Sequence, residues 1–502
     1  MSNLSGFDSE AIGFDSISQN KRSETDCSTQ TYFTESGTAS QTNVAKDCGS
    51  MVTPEELNAE DDILKEYPPP GLNEFLRKVV PSMLEQLDNS DKDYLYQSSD
   101  SEDDDILTAK VFQEIDLKVD MRLGAGDSQP SVLGVTWSSA GNSLAVSIGE
   151  SQHENWCQHD GLIRVYTVKR AEQDKLVHTM DITEKNCVTA LRYHPSVSAL
   201  LAYGSASGEV VLCNLRTAED GMQLSSPAGC HGSKRVSALL WADPPLANMY
   251  LTAQITKTGK RRGASDQILI SSGSDGTVNV WQVNANLKIF ENVISYNING
   301  SRKMGAPDIS CFDYIKTYPL RPSDQKVSDD VFVVGTKTGH LYLCKTKTDQ
   351  LSEFIDDLDP VYEVLEGHST CVMDLAFSFQ KPGVFASISM DSELRVYDIN
   401  QAGPLKVLCL DIPISCMAWL PTNPCITVLG LSKPERQVLS VYNVSSGRPV
   451  KVEGLSGGAG VRAIAVNQSG TCRIAAGDEE GVVRVYDLPS RRIRLSPEDL
   501  EF

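Results

Sequence analysis

The sequence predicts an all-β protein in which seven strand-rich units close a ring, preceded by a long acidic tail. Three observations carry this expectation. A short strand of alternating apolar residues ending in an aromatic or a cysteine recurs seven times; a turn glycine precedes five of the copies; and most of the negative charge lies in the first quarter of the chain. Alternation is the signature of a half-buried strand, and repetition at a fixed interval marks a unit that buries its face only against its neighbours.

The seven strands are Ile163-Arg164-Val165-Tyr166, Val210-Val211-Leu212-Cys213, Val278-Asn279-Val280-Trp281, Leu341-Tyr342-Leu343-Cys344, Leu394-Arg395-Val396-Tyr397, Leu439-Ser440-Val441-Tyr442 and Val483-Arg484-Val485-Tyr486. Gly161, Gly208, Gly276, Gly339 and Gly481 stand just before five of them, where positive φ closes a tight hairpin. A companion strand lies about thirty residues earlier in most units, as in Leu133–Trp137, Val188–Tyr193, Val236–Trp241, Val372–Phe377 and Ile414–Trp419. The closing residues are 47, 68, 63, 53, 45 and 44 positions apart, so the two long intervals hold insertions. Residues 106–120, with Ile106, Leu107, Val111, Ile115 and Leu117, offer an outer strand to seal the last unit, since closure leaves no sheet edge to aggregate.

The chain has 502 residues and a formal charge of -22. Residues 1–130 contain 27 acidic and 10 basic side chains, a net of -17, which leaves -5 for the other 372 residues. So negative a chain repels phosphate backbones, and nucleic acid is not an expected partner. No apolar run reaches membrane-spanning length, and the N-terminus has no charged and apolar blocks of a signal peptide, so no membrane contact and a cytosolic or nuclear location are expected. Thirteen cysteines at irregular spacing, without a C-x-x-C pair, fit buried reduced thiols.

Five segments follow from these patterns: a tail over 1–70, an amphipathic helix over 71–89, an acidic linker over 90–130, the ring over 131–490 and a C-terminal tail over 491–502. The tail's polar composition cannot offset the entropy of ordering, so most of it is expected to be disordered. In the helix, Leu72, Phe75, Leu76, Val79, Val80, Met83, Leu84 and Leu87 recur at three- and four-residue steps and share one face. Pro81 interrupts it. The linker holds the self-repelling block Ser98–Asp105, whose serines lie amid acids that suit an acid-directed kinase.

Catalytic chemistry finds no foothold. The seven histidines show no H-x-x-x-H or H-E-x-x-H spacing, so no metal is expected. Gly124-Ala125-Gly126 is too short to cradle a phosphate, no G-x-x-x-x-G-K-[ST] occurs, and no cofactor is expected. His368, Ser389 and Asp391 imitate a hydrolase triad in composition but read as structural residues of one unit. The basic run 257–263 reads as a solvated loop, with a nuclear-import signal or a contact for an acidic surface as alternatives. Ser28-Thr29-Gln30-Thr31 and Ser40-Gln41-Thr42 are extended β-favouring strings in the tail, suited to adding a strand to an exposed sheet edge.

The repeat period and the hairpin glycines resemble the WD40 β-propeller family over about residues 131–490. That resemblance implies a seven-bladed propeller in which Gly367-His368, Ser389, Asp391 and Tyr397, the last where tryptophan is usual, form a buried hydrogen-bonded network. Strand motifs, then an amphipathic helix, an acidic linker and a propeller together resemble a dynein intermediate chain. Within that family the first blade, with His153-Glu154-Asn155-Trp156 before the Ile163 strand, is most similar to the intermediate chains of cytoplasmic dynein 2, the motor of retrograde intraflagellar transport.

The resemblance implies a non-catalytic subunit in the cytoplasm, cytoskeleton, cilium and ciliary base. Its propeller would grip the dynein heavy chain, and the long insertions at about 246–266, 284–309 and 316–330 are candidates for that contact or for a partner intermediate chain. Thr29, Gln30 and Thr31 would take a dimeric light chain, with Ser28 beside them, and Ser40, Gln41 and Thr42 would repeat the motif with Ser for the first Thr. Leu72, Phe75, Leu76, Val79 and Val80 would dock a roadblock light chain; a Tctex-type light chain and a second intermediate chain are further implied partners. The competing reading is a generic WD40 scaffold, such as a ubiquitin-ligase substrate receptor or a nuclear platform.

Overall fold

The computed structural model describes residues 74–81 and, within 107–493, all but 122–129, 151–156, 158, 170–174, 217–221, 259–265, 300–304, 317–329, 347–357, 380, 424 and 470–471. The chain divides into two units, residues 1–102 and 103–502. In the first unit the described element is a helix over 74–81, which runs up to Pro81.

The second unit is a β-propeller of seven four-stranded antiparallel sheets. Blades one to six run through 131–184, 188–225, 236–297, 309–365, 372–409 and 414–450, each in simple up-and-down order. All seven repeated strands are the third strands of their blades, and the companion strands are the first. The turn glycines divide into two kinds. Gly208, Gly276, Gly339 and Gly481 adopt φ of +83° to +88°, which side chains resist. Gly161 does not; it is needed because a Cβ there would lie 2.1 Å from the Asn186 carbonyl oxygen.

Blade seven is built from both ends of the unit. Its three inner strands, within 461–487, are completed by Lys110–Asp116, which pairs antiparallel with Val482–Asp487 from Lys110↔Asp487 to Asp116↔Val482. Leu107–Thr108 adds a parallel pair with Val452–Glu453. The expected closing strand over 106–120 is therefore present, and part of the segment assigned to an acidic linker belongs to the ring. Charge density misled that boundary: Lys110 and Glu114 are exposed and Asp116 caps a helical turn, while Ile115 and Leu117 are buried. At the other end Ile493, placed in a C-terminal tail by sequence, is buried in the cluster around Ile474 and Tyr486.

Closure reaches past blade seven into blade one. Gln113 donates from Nε2 to the Leu176 carbonyl at 2.9 Å and accepts the Leu176 N–H at 2.8 Å. A short helical turn, Leu117–Asp120, is capped by the Asp116 carboxylate, and its Asp120 accepts from the Tyr166 hydroxyl at 2.7 Å and the Arg164 guanidinium at 2.8 Å. Arg164 also forks onto Asp181 with two 2.8 Å bonds, so three elements share one charge-assisted cluster.

The insertion of blade three departs from expectation. Residues 246–266 read as an exposed loop, yet Pro244–Thr258 is a helix whose Leu246, Ala247, Tyr250 and Leu251 are buried. The two prolines that open it suit a first helical turn, where the missing N–H has no intrahelical partner. The Tyr250 hydroxyl meets those of Tyr314 at 3.0 Å and Tyr296 at 3.3 Å, fixing the helix on blades three and four. The second candidate loop, 284–309, contains Phe290–Asn297, the outer strand of blade three.

Leu117, fully enclosed in the cluster with Val132, Val483 and Val485, is the apolar pin of the closure. Leu117→Ala is expected to lower unfolding free energy by about 2–5 kcal/mol through lost burial and a residual cavity, measured by denaturant melts. Val119→Ala, at an exposed position of the same turn, should change stability by less than about 0.5 kcal/mol.

Candidate functional site

The side chains that imitate catalytic machinery lie where a loop entering a blade meets that blade's second and third strands. In blade three, Gly229, Gly232 and Ser233 take positive φ and fold the entering loop tightly, which turns His231 inward. Its Nε2 is 2.9 Å from the Ser271 hydroxyl, and Trp281 Nε1 donates to the same oxygen at 2.8 Å. Nδ1 faces Thr277 Oγ1 at 3.0 Å and Asp275 at 3.3 Å. Gly273 is required beside this ring, because a Cβ there would lie 2.4 Å from Nδ1. Burial pushes the Asp275 carboxyl up, but hydrogen bonds from His231 and Thr277 outweigh it and hold the group below the usual range.

This complete His–Ser–Asp–Trp set was not read from the sequence, which assigned the fullest network to blade five. The signal was present as Gly229–His231 and Ser271–Trp281, but forty residues separate His231 from Ser271 and the helical insertion between them hides the spacing.

In blade five the structure brings together a partly different set. His368 Nε2 is 2.7 Å from Ser387, not Ser389. The correction follows from strand alternation: Ser387 sits two residues further from the turn, level with the imidazole, whereas Ser389 donates to Asp391 beside the turn. Asp391 also accepts from Ser369 at 2.5 Å. Tyr397 stands where tryptophan is usual and lies beside that serine. Its hydroxyl reaches past and donates to the Glu366 carbonyl at 2.7 Å, and Tyr486 in blade seven does the same to Ser456 at 2.8 Å. A phenol is longer than the indole N–H vector, so it crosses to the loop backbone.

Ser271, Ser387 and the imidazoles of His231 and His368 are enclosed, so a substrate has no path to either serine. His368, Asp391 and Glu393 also cluster closely enough to suggest a cation site. The Arg395 guanidinium is bonded to Glu393 at 2.8 Å and fills that charge requirement. What these sets do is fasten the entering loop to the blade's hairpin.

Of the expected partner-binding residues, Phe75, Leu76, Val79 and Val80 lie on the described helix. Phe75, Leu76 and Val80 are exposed, at 58%, 41% and 38%, and Val79 is half-buried. Leu72, Ser28, Thr29, Gln30, Thr31, Ser40, Gln41 and Thr42 lie outside the described residues, as does His153–Trp156. The basic run begins on the last turn of the blade-three helix with Lys257 and Thr258, and 259–263 is likewise outside.

Seven four-stranded blades around a ring, fastened by His–Ser–Asp–Trp and related sets, define a WD40 β-propeller. Residues 359–398, which include His368 and Tyr397, match the family described as WD domain, G-beta repeat. Over 463 residues the chain is 21% identical to cytoplasmic dynein 2 intermediate chain 2 of Mus musculus, covering 89% of this chain and 81% of the relative. It is 20% identical over 462 residues to the Homo sapiens protein of that name, covering 87% and 79%. A third relative, ciliary dynein intermediate chain 2 of Heliocidaris crassispina, is 22% identical over 307 residues, 59% of this chain and 38% of its own. The similarity to dynein intermediate chains thus extends along most of the chain.

Two outcomes test the structural role of these sets. Ser271→Ala removes the acceptor of the Trp281 N–H and the partner of His231 Nε2 and should cost about 1–3 kcal/mol in a denaturant melt. Burial, and then the Arg395 guanidinium, push His368 from its ordinary 6.5 down to about 4. The unfolded chain therefore takes up a proton that the folded chain refuses, so stability from this group is intact above pH 6.5 and is lost as pH falls toward 4. Melts of the wild type and His368→Gln across that window should converge toward the acid end.

Proposed function

We propose that the chain is the non-catalytic intermediate chain of a dynein motor of the cytoplasmic dynein 2 kind, working in retrograde intraflagellar transport. In this reading it acts on the cytoskeleton of the cytoplasm, the cilium and the ciliary base. The observation that carries it is the length of the similarity: 89% of the chain aligns with cytoplasmic dynein 2 intermediate chain 2, well beyond the WD repeat itself. A generic scaffold sharing the fold alone would be alike in the blades only.

The division of labour follows the order of segments. The propeller, whose loops are carried on a closed and mutually fastened ring, is the grip on the dynein heavy chain. Thr29-Gln30-Thr31, with Ser28 before it and Ser40-Gln41-Thr42 as a second site, adds a strand to dimeric light chains. Leu72, Phe75, Leu76, Val79 and Val80 form the face for a roadblock light chain. The uncovered Phe75, Leu76 and Val80 support that role, because a helix this short gains stability mainly by burying such a stripe. A Tctex-type light chain and a second intermediate chain complete the assembly, with two tethered light-chain sites raising avidity.

Affinity purification of variants from ciliated cells tests the reading. Alanine at Thr29, Gln30 and Thr31 should deplete the strand-binding light chain at least tenfold and leave heavy chain bound. Phe75→Asp places an unpaired charge in the helix face and should deplete the roadblock light chain alone. Absence of dynein heavy chain from the wild-type purification would sink the motor reading and favour a ubiquitin-ligase or nuclear scaffold.

A further inference from the structure

We propose that Cys157, His159 and Cys187 form a zinc-class metal site that fastens blade one to blade two. Cys157 and His159 alternate at the end of the connection between the second and third strands of blade one. Cys187 immediately precedes the first strand of blade two. The two sulfurs and an imidazole nitrogen lie within 4.8 Å of one another, close enough for one ion to engage all three. Thirty residues separate the cysteines, which is why histidine spacing gave no hint of a site.

Backbone groups surround both sulfurs, and the His159 carbonyl oxygen lies 3.6 Å from Cys157 Sγ and 4.0 Å from Cys187 Sγ. The Cys187 N–H points at Cys157 Sγ at 3.3 Å, and the Glu150 N–H points at Cys187 Sγ at 3.4 Å. Each sulfur therefore has a backbone donor that stabilises negative charge, the outer-shell support that metal-bound thiolates use. Cys187 sits where Gly149 leaves room; a Cβ on that glycine would lie 2.7 Å from the sulfur. Cys187 is buried, Cys157 half-buried and His159 exposed, so the set is anchored at one end and open to an entering ion at the other. Two thiolates and an imidazole favour zinc over magnesium or calcium, and leave a fourth position for water or another donor.

The placement also has a mechanical sense. Gly161 presses against the Asn186 carbonyl beside Cys187, so the loop of blade one already touches the entry to blade two. In blades three and five, His231 and His368 secure an entering loop through hydrogen bonds. Here an ion would secure the junction across two blades.

The test uses the reduced full-length chain, zinc and cobalt. The expected result is one zinc per chain by elemental analysis, and cobalt substitution that produces a sulfur-to-metal charge-transfer band. Cys157→Ser and, independently, His159→Ala should weaken zinc roughly 100-fold or more, and chelator should lower the melting temperature of the wild type but not of the variants. Because His159 is exposed, its variant remains informative if Cys157→Ser fails to fold. The proposal is overturned if the folded reduced chain binds neither metal, if zinc affinity survives His159→Ala unchanged, or if thiol trapping at lysis recovers a Cys157–Cys187 disulfide.

Discussion

Closure of the ring is the constraint on which the rest of the propeller depends. Six blades are local meanders, each able to pair its own strands, but a linear row of them would end in two open sheet edges. Lys110–Asp116 removes that problem by joining Val482–Asp487, and it does so with residues about 370 positions away in sequence. The same segment then holds blade one through Gln113 on Leu176 and Asp120 on Arg164 and Tyr166. One strand and one helical turn therefore connect the last blade, the first blade and the incoming tail.

Within the ring, neighbouring blades are joined by a recurring polar stitch. Trp137, Trp241 and Trp419 each donate an indole N–H to a first-strand carbonyl of the preceding blade, on Ala465, Arg192 and Ala376 at 3.2, 3.4 and 2.9 Å. Carboxylates serve in the other direction: Asp313 accepts the Phe377 N–H at 2.8 Å and Asp374 accepts the Met417 N–H at 3.1 Å. Burial pushes Asp374 up to about 6, against the pull of that N–H and of Arg192. These contacts lie between apolar layers, where an unmade hydrogen bond is expensive, so they fix which residue faces which as well as adding stability.

The blade count, the third strands and the sealing strand were legible because a ring repeats one physical solution, alternation closed by a tight turn. The turn glycines were legible for the same reason, except that Gly161 answers a close approach and not a positive φ. Misreadings arose where sequence distance and spatial distance part. His231 and Ser271 are split by a helix, and the Ser387–Ser389 choice depends on register along one strand. The linker boundary was misplaced because Glu114 and Asp116 look like linker, yet Glu114 pairs with Arg484 and Asp116 caps a turn.

Under the proposed function, a ring sealed by the residues that follow the tail would tether light chains held on the tail to a heavy chain held on the propeller through a folded strand. The most direct measurement is amide hydrogen exchange on Val482–Asp487 in two chains, one beginning at residue 103 and one at 122. Slow exchange is expected in the first, and in the second fast exchange with a lowered melting temperature and a tendency to associate through the opened edge. Equal protection and equal melting of the two chains would contradict sealing by this strand.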